Sequence, residues 1–236
     1  MRAARWLFAL IVASLLLGPA SADELVGKYQ AAGTTPKGKP YSGEVMIEQL
    51  GGLHVVLWKL ADGEAYKGIG IRQGDVLGAA YGPADTKFGI VVYKIEGGTL
   101  TGVWADSRDL KSELGQETLQ GDPGLNGTYS IVLGQNRDGM TNYSGQVQIK
   151  RTGETYILVW PTKPPAIGVG VRLKDMLVVA YTSNPRKMPG VVAYQALSTD
   201  ALSGIWSIAG MQQTGDGAYN ITAPTKAGRE DLKRIP

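Results

Sequence analysis

Tyr41-Ser-Gly-Glu-Val-Met-Ile47 returns 102 residues later as Tyr143-Ser-Gly-Gln-Val-Gln-Ile149. In the second copy Val147 and Ile149 alternate with Gln146, Gln148 and Lys150, the period-two pattern of a strand with one buried face. The stretch carries two conclusions: the chain is made of strands, and it is duplicated. Working outward, Trp58 recurs as Trp160 and Trp104 as Trp206 at the same spacing. Gly68-Ile-Gly-Ile-Arg72 matches Gly168-Val-Gly-Val-Arg172, and Leu100-Thr-Gly-Val-Trp104 matches Leu202-Ser-Gly-Ile-Trp206. Tyr81 pairs with Tyr181 and Tyr93 with Tyr194, and Gly27-Lys-Tyr29 and Gly127-Thr-Tyr129 open the two copies.

Between these anchors the pattern is strand and turn throughout. His54–Trp58 and Tyr156–Trp160 are apolar on both faces, as in strands covered on both sides. Gly51-Gly52, Asp62-Gly63, Gly74-Asp75 and Gly97-Gly98 supply turn chemistry between short apolar runs. Glycine is 33 of 236 residues, roughly twice the usual ~7% share. Glycines inside strands mark bends, bulges or close packing. About eight short hairpin-connected strands per copy predict an all-β chain of two tandem, internally repeated, antiparallel up-and-down β-barrels. Each copy, with its own Gly-x-Tyr opening, strand count and a linker after it, is expected to close by itself; the alternative is that the two copies share one pseudo-symmetric structure. The divisions are then 25–119 for the first barrel, 120–124 (Gln-Gly-Asp-Pro-Gly) for a linker and 125–221 for the second barrel. Residues 222–236, rich in alternating charge, read as a mobile tail without a counterpart in the first copy.

Residues 1–22 read as a secretory signal. A basic start with Arg2 and Arg5 precedes the apolar run Trp6–Gly18, and Ala20-Ser21-Ala22 ends in small residues. That run is shorter than the ~20 residues a bilayer span requires. Cleavage near Ala22 implies a periplasmic or secreted bacterial protein with no transmembrane segment in the mature chain. Removing Arg2 and Arg5 turns 24 basic residues into 22, against 21 acidic ones. A balance so close to neutral argues against nucleic acid as a partner. The absence of cysteine excludes disulfides, thiol nucleophiles and cysteine metal sites, and one histidine cannot form a multi-histidine centre. No cofactor or metal is expected.

His54 lies inside an apolar strand with no visible partner and reads as a packed histidine. Ser42 and Ser144 share a Tyr-Ser-Gly context that is not a nucleophile elbow, and the second copy has no histidine to activate a serine. Arg72 with Asp75, and Arg172 with Asp175, bracket hairpin turns where a cross-hairpin ion pair is expected. Carboxylates such as Glu44, Glu48 and Glu96 would be the residues of a hydrolase, but Gln146 and Lys150 replace the first two in the second copy. The ligand-binding candidates are the repeated aromatics Trp58, Trp104, Tyr81, Tyr93, Trp160, Trp206, Tyr181 and Tyr194. In barrels this small they are expected to fill the interior more than to line a cavity. An open space of ~300 Å³ or more beside Trp58 or Trp104 would point to a ligand. The dissimilar loops Gly82–Lys87 and Thr182–Pro189 are a second surface for recognition.

The Tyr-Ser-Gly-x-Val-x-Ile strand, the Gly68-x-Gly70 turn and Gly102-x-Trp104 together resemble small exported bacterial β-proteins labelled fibronectin-binding, which implies binding to host matrix. The opening Gly27-x-Tyr29 is similar to the Gly-x-Trp start of calycin barrels such as lipocalins and avidins, with Tyr for Trp and no clear Arg on a last strand to cover it. The expected function is that of an exported, non-catalytic binding protein for an unknown protein, glycan or small apolar ligand. The alternative is a structural envelope protein.

Overall fold

The computed structural model describes residues 24–82, 85–111, 113–213 and 219–236; the expected signal segment lies outside them. Among the described residues every regular element is a strand. The first eight are β1 (Gly27–Thr34), β2 (Pro40–Leu50), β3 (Leu53–Leu60), β4 (Ala65–Gln73), β5 (Val76–Gly82), β6 (Gly89–Glu96), β7 (Thr99–Asp106) and β8 (Gly115–Gln120). There follow β9 (Gly127–Gln135), β10 (Gly145–Thr152), β11 (Thr155–Trp160), β12 (Ala166–Leu173), β13 (Met176–Thr182), β14 (Gly190–Ser198) and β15 (Ala201–Ile208). A small hairpin of β16 (Gly210–Gln213) and β17 (Tyr219–Thr222) precedes the last strand, β18 (Gly228–Arg234).

Two closed, antiparallel, eight-stranded barrels result, as the repeat predicts. Their composition differs from the expectation that each copy closes alone. The first barrel runs β1-β2-β3-β4-β5-β14-β15-β18 and the second β9-β10-β11-β12-β13-β6-β7-β8. Each barrel therefore takes five strands from one repeat and three from the other. Duplication itself permits the exchange. At one seam Tyr81 of β5 faces Gly190 of β14 and Leu77 faces Tyr194. At the other, Tyr181 of β13 faces Gly89 of β6 and Leu177 faces Tyr93. The two seams use equivalent residues in equivalent register, so either repeat's β6-type strand satisfies the ladder. The chain passes from one barrel to the other between β5 and β6 and again between β13 and β14, and Lys187 of the second connection pairs with Asp85 of the first.

Exchange sets the barrels side by side. The outward faces of β4, β5 and β14 pack on those of β6, β12 and β13, with Ile69, Ile71, Val76, Ile90, Val92, Val169, Val178 and Val191 buried in one shared cluster. Gly78 makes the approach possible, since a Cβ there would stand 2.7 Å from Val178 and 2.8 Å from Val92. Covering both faces of these strands with apolar side chains is the main favourable term in such a layered arrangement. The inward faces form two further cores, one holding Tyr29, Val45, Ile47, Val56 and Leu77, the other Tyr129, Val147, Ile149, Leu158 and Leu177.

Residues 222–236 are not a mobile tail. Their strand β18 sits between β1 and β15 and closes the first barrel. Its counterpart is β8, since Gly228-Arg-Glu-Asp-Leu232 aligns with Gly115-Gln-Glu-Thr-Leu119 through a shared Gly-x-Glu-x-Leu. The β16–β17 insertion displaces this match from the regular repeat spacing. The alternating charge is the outward face of a strand whose inward face buries Gly228, Glu230 and Leu232. The stretch before it is tied to the second barrel: Glu154 N donates to Thr225 O at 2.8 Å and Ala227 N to Glu154 Oε2 at 2.9 Å.

At one end of the first barrel the last strand meets the opening aromatic of β1. Arg234, on the last strand, lies over the Tyr29 ring at 4.9 Å and donates to Tyr29 Oη at 2.8 Å, Val26 O at 2.6 Å and Thr199 O at 3.0 Å. An Arg does cover the opening aromatic. The sequence conceals it because 228–234 does not read as a strand. In the second barrel Tyr129 is packed on Gly121 instead.

Candidate functional site

At the other end of each barrel, strand order and register bring a buried carboxyl group under two tryptophans and two tyrosines. In the first barrel Glu230 of β18 accepts hydrogen bonds from Tyr41 Oη at 2.8 Å, from Trp58 Nε1 at 3.2 Å and from the Tyr194 hydroxyl. Trp58 Nε1 also lies 3.0 Å from Tyr194 Oη. In the second barrel Glu117 of β8 accepts from Tyr93 Oη at 3.1 Å and from Trp160 Nε1 at 3.2 Å. Glu230 is 3% and Glu117 4% exposed. Burial drives both carboxyls above the usual carboxylate range, opposed by the donated hydrogen bonds, and Glu117 is pushed up to about 7.

The aromatic rings lie flat on glycines of neighbouring strands. A Cβ at Gly228 would be 2.3 Å from the Trp206 indole, and one at Gly115 would be 2.1 Å from that of Trp104. Tyr81 covers Gly190, Tyr181 covers Gly89, Tyr194 covers Gly204 and Tyr93 covers Gly102 in the same manner. This explains much of the glycine content: inside these strands glycine makes room for a ring. Trp58 and Tyr81 meet at 5.4 Å between centroids and Trp160 and Tyr181 at 5.7 Å, both tilted, while Tyr41 stands edge-on to Trp206 at 6.1 Å. The indole N–H groups of Trp104 and Trp206 are buried near the hydroxyls of Tyr143 and Tyr41 without completing a well-formed hydrogen bond.

Above Glu230 the first barrel opens into a pocket of about 560 Å³. Trp58, Tyr81 and Trp206 line it, where the sequence favours a filled interior, with Tyr41 and Tyr66 beside them. The β1–β2 turn contributes Thr35 and Lys39 to the rim, and the β3–β4 turn contributes Asp62 and Glu64. The Tyr66 hydroxyl is pushed up to about 12, chiefly by its hydrogen bond to Glu64. The equivalent pocket in the second barrel is about 220 Å³, lined by Trp104, Glu117, Tyr143, Trp160 and Tyr181. By the ~300 Å³ criterion the first mouth is large enough for a ligand and the second is not. Tyr93 and Tyr194 are fully buried beneath the pockets, where they hold the carboxyls. Each barrel is thus packed through its lower part and open at its mouth.

The pairing of candidates crosses the repeats: Trp58 shares a pocket with Trp206, and Trp104 with Trp160. Glu230, Glu117, Tyr41, Tyr143 and Tyr66 are site residues that sequence reasoning does not single out. The repeated Gly-x-Glu-x-Leu at 115–119 and 228–232 is the signal that could have found the two acids.

The remaining candidates lie elsewhere. His54 is buried within β3 opposite Gly70. Ser42 reaches the rim of the first pocket. Asp75 pairs with Lys174, on the equivalent hairpin of the other repeat, at 2.6 Å, while Arg72 Nε donates to Gly74 O. Asp75 thus takes an ion-pair partner on the other repeat's hairpin, which the sequence does not indicate, and Arg172 Nε, like Arg72 Nε, donates to a carbonyl of its own turn, Lys174 O. Glu44 pairs with Lys28 and Glu96 with Lys94 on outer faces, and Glu48 is exposed; none of the three lines either pocket. Among the described residues no group of three or more His, Asp or Glu gathers as a metal site, and no helix is long and apolar enough to cross a membrane. Comparison with family models gives no match, and neither does comparison with curated proteins.

Proposed function

We propose that this is an exported, non-catalytic binding protein that receives a small ligand with an apolar body in the mouth of its first barrel. The observation that carries the reading is the 560 Å³ opening walled by Trp58, Tyr81 and Trp206 over the buried Glu230. Concave sites with mostly apolar walls and few convergent polar groups are the usual form of small-molecule pockets. A binding role is supported over a hydrolytic one by the second barrel. It keeps the aromatic set and one carboxyl, Glu117, with no second acid among the described residues lining its pocket for general acid–base work. The calycin-like reading draws support from Arg234 over Tyr29. Export rests on the basic, apolar and small-residue order of residues 1–22.

Intrinsic tryptophan fluorescence tests the proposal, because both Trp58 and Trp206 face the pocket. A panel of fatty acids, aliphatic alcohols, sugars, short peptides and small amines is titrated into the protein. A saturable change that is lost in Trp206→Leu, with folding unchanged by circular dichroism, is expected. A flat response across the whole panel would remove the small-ligand reading.

A further inference from the structure

The charge of the ligand can be argued from the walls of the first pocket. Five rings, of Tyr41, Trp58, Tyr66, Tyr81 and Trp206, surround one space. Glu230 lies at its floor and Asp62 and Glu64 at its rim, and Lys39 is the one basic residue lining it among the described residues. Ring faces carry negative quadrupole density and attract cations, most strongly where water is excluded. Burial disfavours the ionised form of Glu230 at the base of this space, and a cation placed beside it would favour the carboxylate and be attracted by it. An anion would meet three acidic side chains there, with Lys39 alone to offset them among the described residues.

The second barrel shows what this arrangement looks like without the acidic mouth. Register places Ala166 opposite Trp160 where Tyr66 stands opposite Trp58. The acidic turn Ala61-Asp-Gly-Glu64 is replaced by Pro161-Thr-Lys-Pro-Pro165. The first barrel therefore has one more aromatic wall, two more carboxylates and more than twice the space.

Resting on the reading that this mouth is a ligand site, we propose that the first barrel binds a small organic cation, a methylated ammonium group on a compact apolar body, with Trp58, Tyr81 and Trp206 as its walls and Glu230 as its counter-charge. The smaller pocket of the second barrel does not bind it.

Calorimetry with choline and with 3,3-dimethylbutan-1-ol, its uncharged carbon isostere, isolates the charge from the shape. Choline is expected to bind at one site per chain, and the isostere roughly tenfold more weakly or worse. Glu230→Gln is expected to weaken choline by a similar factor. Because that position is buried, its fold is checked by circular dichroism and melting. Glu64→Gln, at an exposed position, supplies a second test: weaker choline binding and a shallower salt dependence. Phosphatidylcholine vesicles run alongside separate a lipid headgroup from the free cation as the source of the same chemistry. Equal affinity for choline and its isostere, or choline binding unchanged in both variants, overturns the cation assignment and leaves the pocket a binding site. The cation assignment falls equally if only uncharged members of the fluorescence panel bind. Failure of every compound to bind overturns the parent reading as well.

Discussion

Trp58, on β3 of the first repeat, donates its indole N–H to Glu230 Oε1 at 3.2 Å, although the two residues are 172 positions apart and Glu230 belongs to the second repeat. Trp160 and Glu117 reproduce the contact at 3.2 Å with the repeats reversed. Neither repeat contains a complete site. Each mouth exists because β5 hands over to β14 and β13 to β6, so the exchange of strands and the assembly of the pockets are one structural fact.

Glu117 makes stability fall with rising pH. Its ordinary value is 4.5 and burial lifts it to about 7 in the folded protein. The native state therefore holds this proton more tightly than the unfolded chain does. Its contribution is complete below about pH 4.5 and is lost as pH rises through about 7, a change of about 3 kcal/mol. Glu230 is shifted in the same direction. Asp75, Asp85 and Asp138 are held low and titrate beneath this window. Urea unfolding between pH 5 and 8 should show a falling midpoint, with a shallower fall in Glu117→Gln. A midpoint that rises across that range, or an identical slope in the variant, would contradict the burial argument.

Removing the last strand should unfold the first barrel. A chain ending at Thr222 lacks Glu230, Leu232 and Arg234 and exposes the edges of β1 and β15. Circular dichroism and melting are expected to show loss of the cooperative transition for at least half the sheet. The milder Arg234→Met removes donors to three backbone carbonyls and to Tyr29 and should cost about 2–3 kcal/mol. A truncated chain that melts like the intact one would mean that β18 is dispensable.

Gly228→Ala and Gly115→Ala place a methyl group where an indole already lies, 2.3 and 2.1 Å from Trp206 and Trp104. Each is expected to destabilise by about 1–3 kcal/mol, as overpacking does, and to shift tryptophan emission because the ring must move. Gly38→Ala serves as the comparison. No atom lies within 4 Å of a Cβ there, and its effect should come from backbone conformation alone, with emission unchanged.

Strand content, turn positions and the pairing of aromatics are legible because period-two alternation and the repeat state them locally. The exchange is not, because Tyr81–Gly190 and Tyr181–Gly89 have equally good partners within a repeat, in Gly89 and Gly190, and local periodicity does not distinguish them. Charge alternation in 229–233 hides β18, since its inward residues are a glycine, an acid and one leucine, too few apolar side chains to read as a strand. With β18 hidden, both Glu230 and the Arg234 cover of Tyr29 are hidden too. Of the site, the tryptophans and Tyr81 and Tyr181 follow from the repeat. The two acids do not, because the carboxylates that stand out in recognisable strands are Glu44, Glu48 and Glu96, and those strands turn them outward.

The claim that each pocket is shared by both repeats is tested most directly by paired cysteines, since the chain has none of its own. Gln30 and Lys233 face each other across β1 and β18 on the exposed side of the first barrel, and directly paired strand residues are within disulfide reach. Gln30→Cys with Lys233→Cys should oxidise to an intramolecular disulfide in nearly every molecule. Gln30→Cys with Gln120→Cys, the pair that would meet if the first repeat closed on itself, should stay reduced. A disulfide in the second pair and none in the first would contradict the shared barrel.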